Sequence, residues 1–146
     1  MMYNKSDIVH TVFIGWAVST FIYLVGGIDH LFIACTILVA LDYITGVLSA
    51  WYNKELSSRL GWWGLVRKTM TLVFVIVANQ VDIVSGNSSH FMRNAMILFI
   101  IGTEGISVLE NLGRMGLPAP RFILTALIKL TGDTEKKSKQ KDRERR

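Results

Sequence analysis

Four runs of mostly apolar residues fill the chain between positions 8 and 109: Ile8–Val25, Leu31–Trp51, Thr69–Val84 and Asn94–Leu109. A bilayer's hydrocarbon core is about 30 Å thick and is crossed by about 20 residues of helix, with about 17 tolerated. Each run approaches that length, so the expected class is an all-α integral membrane protein. The distribution of charge agrees. Of 27 charged residues in the 146, 11 fall in Asp133–Arg146 and only 16 in the 132 residues before it. Ordinary soluble domains carry charge on about a quarter of their residues, and this body falls well short. Residues 1–131 are therefore read as a membrane domain with four spans, alternatively three. Residues 132–146 are read as a disordered, charged, basic tail.

Between the fourth run and the tail, "GLPAP" breaks the chain, because proline cannot continue a helix. "RFILTALIKL" follows, and the segment at about 120–130 reads as a short helix along the membrane interface. Arg121 and Lys129 would reach towards headgroups. Lys and Arg accumulate on the cytoplasmic side of membrane proteins. With four spans, 15 of the 16 basic residues share one side and only Arg93 lies on the other. Both termini are then cytoplasmic. If the first run does not cross, only Lys5 changes sides, so the rule fixes the later three spans more firmly than the first. Met1–Asp7 does not read as a cleavable signal.

Acidic residues interrupt three of the runs: Asp42, Asp82 and Glu104. An aspartate at a helix centre costs about 2.5–3.5 kcal/mol on insertion, and each large apolar residue returns about 0.3–0.6. Insertion is feasible, yet an intramembrane acid marks a functional site by default. Helical spacing gathers the polar groups into stripes. Asp42, Thr45, Gly46 and Ser49 share a face with Cys35 and Asn53. In the third run Lys68, Thr71, Val75, Asn79 and Asp82 share one, and in the fourth Glu104, Ser107, Asn111 and Arg114 do. Small residues offer close helix approach at Gly46 and Ala50, and at Gly102 and Gly105. The stripes either meet inside a single bundle and serve packing, or line water between copies. Lys68 and Arg93, both at run ends, do not obviously neutralise three acids at different depths. Self-association is the expected remedy.

The block "LDYITGVLSAWYNKELSSRLGWWGLVRKTMTLV" resembles the central motif of the phage-lysis and toxin-secretion holin family. The matching residues are Asp42, Tyr43, Thr45, Gly46, Lys54, Ser57, Ser58, Gly61, Gly64, Arg67 and Lys68. A later block, "GTEGISVLENLGRMGLPAP", is similar to that family's second motif. It supplies Glu104, Gly105, Ser107, Glu110, Asn111, Gly113, Gly116, Pro118 and Pro120. "GGIDHL" matches the turn before the second run, with Ile28 where an aromatic is expected. The resemblance implies a homo-oligomer in the host bacterial cytoplasmic membrane. It would open timed lesions that release a cell-wall endolysin, or in some relatives a toxin, with no direct contact required.

Other classes compete. An acid inside a small four-helix subunit also suits a proton- or cation-coupled transporter, and an antiholin would share the fold without the lesion. No catalytic arrangement or phosphate loop can be assembled, so an enzyme is not expected. Cys35 stands alone without metal-ligand spacing, and neither cofactor nor metal is expected. His10, His30 and His90 lie at or near run ends, as interfacial histidines do. "NSS" at Asn87 matches a glycosylation acceptor that a bacterial membrane leaves unused. The tail mixes seven basic residues with four acids and no aromatics, which argues against nucleic acid.

Overall fold

The computed structural model describes residues 5–55 and 57–131. The tail assigned to residues 132–146 lies outside them. The described residues form five helices and no strand: α1 (Lys5–Val25), α2 (His30–Tyr52), α3 (Ser58–Val84), α4 (Phe91–Arg114) and α5 (residues 121–131). Segments Ser6–Val25, His30–Tyr52, Trp62–Val84 and Phe91–Arg114 are each long and apolar enough to cross a membrane. The four expected runs are thus four helices, with one difference in extent. α3 begins at Ser58 rather than near Thr69, so Arg67 and Lys68 ride on a helix and not in the connection. The stretch "SRLGWWGLVRK" reads as a loop because of its glycines and charges. It contains no proline, and tertiary contacts override weak propensity.

α4 is the hub, packing most extensively against α2 and next against α3, while α1 packs against α3. Phe21 of α1 also meets Phe32 of α2 edge-on, their rings 6.3 Å apart. The interior is unusual in composition. Among the described residues, seven apolar side chains are buried beside six polar or charged ones: Asp42, Ser49, Asn79, Asp82, Arg93 and Glu104. Large apolar residues such as Phe13, Trp16, Phe74 and Val84 face outward. Such a bundle keeps its polar groups from lipid and offers lipid its apolar faces.

The turn after α1 shows how local chemistry fixes the bundle. The Gly27 N–H bonds the Ile22 carbonyl at 2.9 Å and the Gly26 N–H bonds that of Tyr23 at 3.2 Å, which closes α1 with a Schellman motif. Gly26 takes φ +77° there. A Cβ at Gly26 would lie 2.3 Å from Asn79 Oδ1 and 2.8 Å from Arg93 Cδ, so the backbone itself is packed against α3 and α4. Gly27, at φ +105°, has nothing within 4 Å. Two residues later Asp29 caps α2, its carboxylate accepting the Phe32 N–H at 2.8 Å.

α5 departs from the interfacial placement expected for residues 120–130. It folds back along α4, with Leu127, Leu130 and Thr131 against Gly102 and Gly105. The glycines leave a groove that admits this second helix.

Gly26→Ala and Gly27→Ala carry the same kind of backbone penalty but different crowding. Gly26→Ala should lose about 1–3 kcal/mol more, the usual cost of overpacking, in denaturant unfolding of micelle-solubilised protein. Equal losses would show that close packing around Gly26 does not hold the turn.

Candidate functional site: a central ion cluster

Asp42 is the thirteenth of 23 residues in α2 and Glu104 the fourteenth of 24 in α4, so both acids sit near the middle of their helices. Between them comes Lys68 of α3. Its Nζ lies 2.5 Å from Asp42 Oδ2 and donates to Glu104 Oε2. Asn111, two turns along α4 from Glu104, completes the cluster. Its Nδ2 donates to Asp42 Oδ1 at 3.0 Å and to Thr45 Oγ1 at 3.3 Å. Gly46 faces it, and a Cβ there would stand at ordinary contact distance, 3.5 Å from Asn111 Nδ2. Ser49 is buried one turn beyond Thr45, Ala50 beside it is half-buried, and Ser107 is half-buried between Glu104 and Asn111. One ammonium facing two carboxylates leaves the cluster one proton short of neutrality when both acids are ionised.

Lys68, which from its place at a run end does not obviously neutralise the three acids, thus meets two of them. Continuation of α3 back to Ser58 carries Lys68 inward, where its long side chain spans the gap between α2 and α4.

The grouping of Asp82 with Asp42 and Glu104 also fails in the folded chain. Asp82 sits at the other end of α3 and caps α4. Its Oδ1 accepts the Met92 N–H at 3.0 Å and its Oδ2 the Arg93 N–H at 2.8 Å, while Asn87 Nδ2 donates to Oδ1 at 3.1 Å. A carboxylate at a helix N-terminus satisfies free amides and meets the positive end of the dipole. Asn79 turns to α1, its Nδ2 donating to the Tyr23 and Leu24 carbonyls at 3.1 and 3.0 Å. The α3 stripe is thus divided between two clusters.

Arg93 organises the second cluster and is 1% exposed. Its guanidinium donates to the Val25 carbonyl at 2.6 Å, the Gly27 carbonyl at 2.8 Å and Asp29 Oδ2 at 2.8 Å. One side chain thereby ties α4 to the α1–α2 turn. From the sequence Arg93 enters the orientation rule and is weighed as a partner for the intramembrane acids, not for Asp29, which appears only within the turn motif. The usable signal was an acid just before an apolar run, with a lone basic residue at that end of the bundle.

A family model described as the bacteriophage holin family matches residues 19–132. The chain belongs to the bacteriophage holin family. A protein named probable holin from Bacillus phage phi105 is 38% identical over 120 residues, covering 82% of this chain and 87% of that one. An uncharacterised protein of Listeria innocua is 35% identical over 122 residues, covering 82% and 86%. One from Bacillus subtilis is 35% identical over 122 residues, covering 84% and 86%. No solved structure matches the chain significantly. With four helices able to cross a membrane, this holin-family chain is a multi-pass membrane protein.

The two sequence blocks that carry the holin resemblance meet in space. Asp42 and Thr45 of the first touch Lys68 or Asn111, Gly46 faces Asn111, and Glu104 and Asn111 of the second return those contacts. Tyr43 lies across the α2–α3 seam, 3.9 Å from the position of a Cβ at Gly64. Other motif residues stay outside the cluster. Ser58 begins α3, Glu110 is exposed on α4, and Pro118 is exposed in the link to α5.

Lys68→Met should destabilise the folded chain by about 3–5 kcal/mol, because it strands two carboxylates in a low-dielectric interior. Adding Asp42→Asn and Glu104→Gln should recover most of that loss in the same unfolding assay. A triple variant as weak as the single one would deny charge as the cause.

A second prediction concerns acid. The hydrogen bond from Arg93 is the largest influence on Asp29 and, against partial desolvation, holds its carboxyl below the ordinary value of 3.8. A depressed folded value means the contact stabilises the fold above pH 3.8 and is lost as pH falls through the lower folded value. The Asp29 side chain is half-exposed, so the effect should stay below about 1 kcal/mol. Asp29→Asn should flatten this part of the acid limb of a stability–pH curve, with Arg93 otherwise retained.

Proposed function

We propose that this chain is a lesion-forming holin of the bacterial cytoplasmic membrane, with both termini on the cytoplasmic side. Copies accumulate and then self-associate, and the resulting openings release a cell-wall endolysin, or a toxin, that the holin need not touch. The observation that carries the reading is the Lys68 ammonium held between Asp42 and Glu104 at mid-helix. While that contact is intramolecular, each copy can reside in lipid without exposing bare charge. The same groups lose little when water or a neighbouring copy replaces the partner, because a buried ion pair offsets its desolvation cost only narrowly. Assembly that admits water along α2, α3 and α4 relieves that cost in every copy at once, so opening is cooperative in protein density. Asp42, Thr45, Ser49, Glu104, Ser107 and Asn111 then line the opening, while Gly46, Ala50, Gly102 and Gly105 allow helices to approach. Asn79 and Asp82, engaged at the far end, serve the fold in the single copy.

Membrane voltage enters the same balance. A unit charge moved through the whole field gains or loses about 2.3 kcal/mol per 100 mV. A cluster whose charges shift on opening is therefore biased by the potential, and collapse of the potential removes the bias.

Inducible expression in a bacterium, with and without a cytoplasmic endolysin, tests the reading. Abrupt lysis should occur only with the endolysin, and growth arrest with leakage should occur without it. Continued growth during expression alone would identify an antiholin instead. Asp42→Ala should change the lysis time at matched protein level while leaving membrane insertion intact. An unchanged time would remove Asp42 from the opening step.

A further inference from the structure

α5 occupies the groove on α4 that Gly102 and Gly105 leave open. A Cβ at Gly102 would lie 2.7 Å from Thr131 Cγ2, 3.2 Å from the Leu127 carbonyl oxygen and 3.3 Å from Leu130 Cβ. One at Gly105 would lie 2.8 and 2.9 Å from the two Leu127 methyl carbons. The contact is close but narrow. Leu124, Leu127, Leu130 and Thr131 are half-buried, and the other residues of α5 are exposed.

Depth makes this docking costly. Gly102 is the twelfth of 24 residues in α4, so it stands near the bilayer midplane when α4 crosses. Seating Thr131 beside it brings the exposed Lys129 to nearly the same level. Charges are disfavoured at that depth. In lipid, docking is also not driven by the hydrophobic effect, because acyl chains are as apolar as leucine, and only packing holds α5 in place. Laid along the membrane surface, α5 would give Arg121 and Lys129 to headgroups. The link at residues 115–120, with Gly116 at φ +85° and prolines at 118 and 120, interrupts the helix between these positions.

We infer that α5 is a detachable cover over the α4 groove, and that its departure opens the groove to α4 of a second copy. The groove already accommodates a helix at glycine-limited distance. A two-fold pair of α4 helices would set the same two glycines against each other. Docked α5 lowers the fraction of copies competent to pair and so raises the density at which assembly starts. This rests on the lesion reading for its biological use, but it concerns association alone.

The test uses the full chain reconstituted in phosphatidylethanolamine–phosphatidylglycerol vesicles, with donor or acceptor dyes at the N-terminus to report association. A chain with Leu124→Ala and Leu127→Ala, which loosens α5 and leaves the groove untouched, should reach half-maximal energy transfer at about tenfold less protein per lipid than the unsubstituted chain. Adding Gly102→Leu and Gly105→Leu to that chain fills the groove and should raise the threshold again. Equal thresholds for the loosened and unsubstituted chains overturn the inference, as does a low threshold that survives filling of the groove. Escape of an encapsulated folded protein is scored separately. Association that depends on α5 without escape upholds the cover and rejects the lesion reading.

Discussion

One lysine ammonium shared by two carboxylates on different helices governs the arrangement of α2, α3 and α4. Inside lipid no hydrophobic force draws apolar helices together, so helix positions must be specified by close packing and by polar contacts. Lys68 reaches Asp42 and Glu104 only if α3 extends back through Arg67 towards Ser58 and only if α2 and α4 lie face to face. That requirement explains why α2 and α4 make the largest contact and why Gly46 stands opposite Asn111. A bulkier residue at position 46 would press on the side chain that bridges Asp42 and Thr45. Motif residues far apart in the chain thus share one steric and electrostatic demand.

The two polar clusters differ in how they are satisfied. At the end that carries the α1–α2 and α3–α4 turns, Arg93 donates to two backbone carbonyls and Asp29, and Asp82 accepts two helix amides. Those acceptors and donors are orphaned by helix termination, so that cluster is coupled to the turns themselves and cannot exchange partners without unravelling them. The central cluster contains side chains from intact helices. Lys68, Asp42 and Glu104 can separate while every helix keeps its backbone bonds. A bundle built this way is fixed at one end and changeable at its middle, as the proposed opening requires.

Much of this was legible in the sequence. Length and apolarity gave the four helices, because a membrane imposes a minimum span that composition alone can reveal. Periodicity placed Asp42 with Thr45 and Gly46, and Glu104 with Asn111, since those residues share a helix face. It could not say which faces meet. Lys68 looked peripheral because glycines and charges concealed the first turns of α3, and Asp82 looked equivalent to the other acids because spacing does not distinguish a pore from a cap. Folding back of α5 was hidden as well. Its apolar pattern suits a surface helix, and only the two α4 glycines, read as a seat for another chain, hinted that a helix of the same chain could fill them.

α1 stands apart for reasons that join sequence to structure. Residues 6–19 are exposed on every side, and burial begins only as the helix nears Val25. The family match starts at residue 19, where this exposed stretch ends. A helix apolar all round needs lipid and not a protein partner, so its first two-thirds are constrained by the bilayer alone. Its last turn is constrained by Asn79, Arg93 and the crowding at Gly26. The same division matches the expectation from charge, in which clustered basic residues orient α2 to α4 firmly and α1 only weakly.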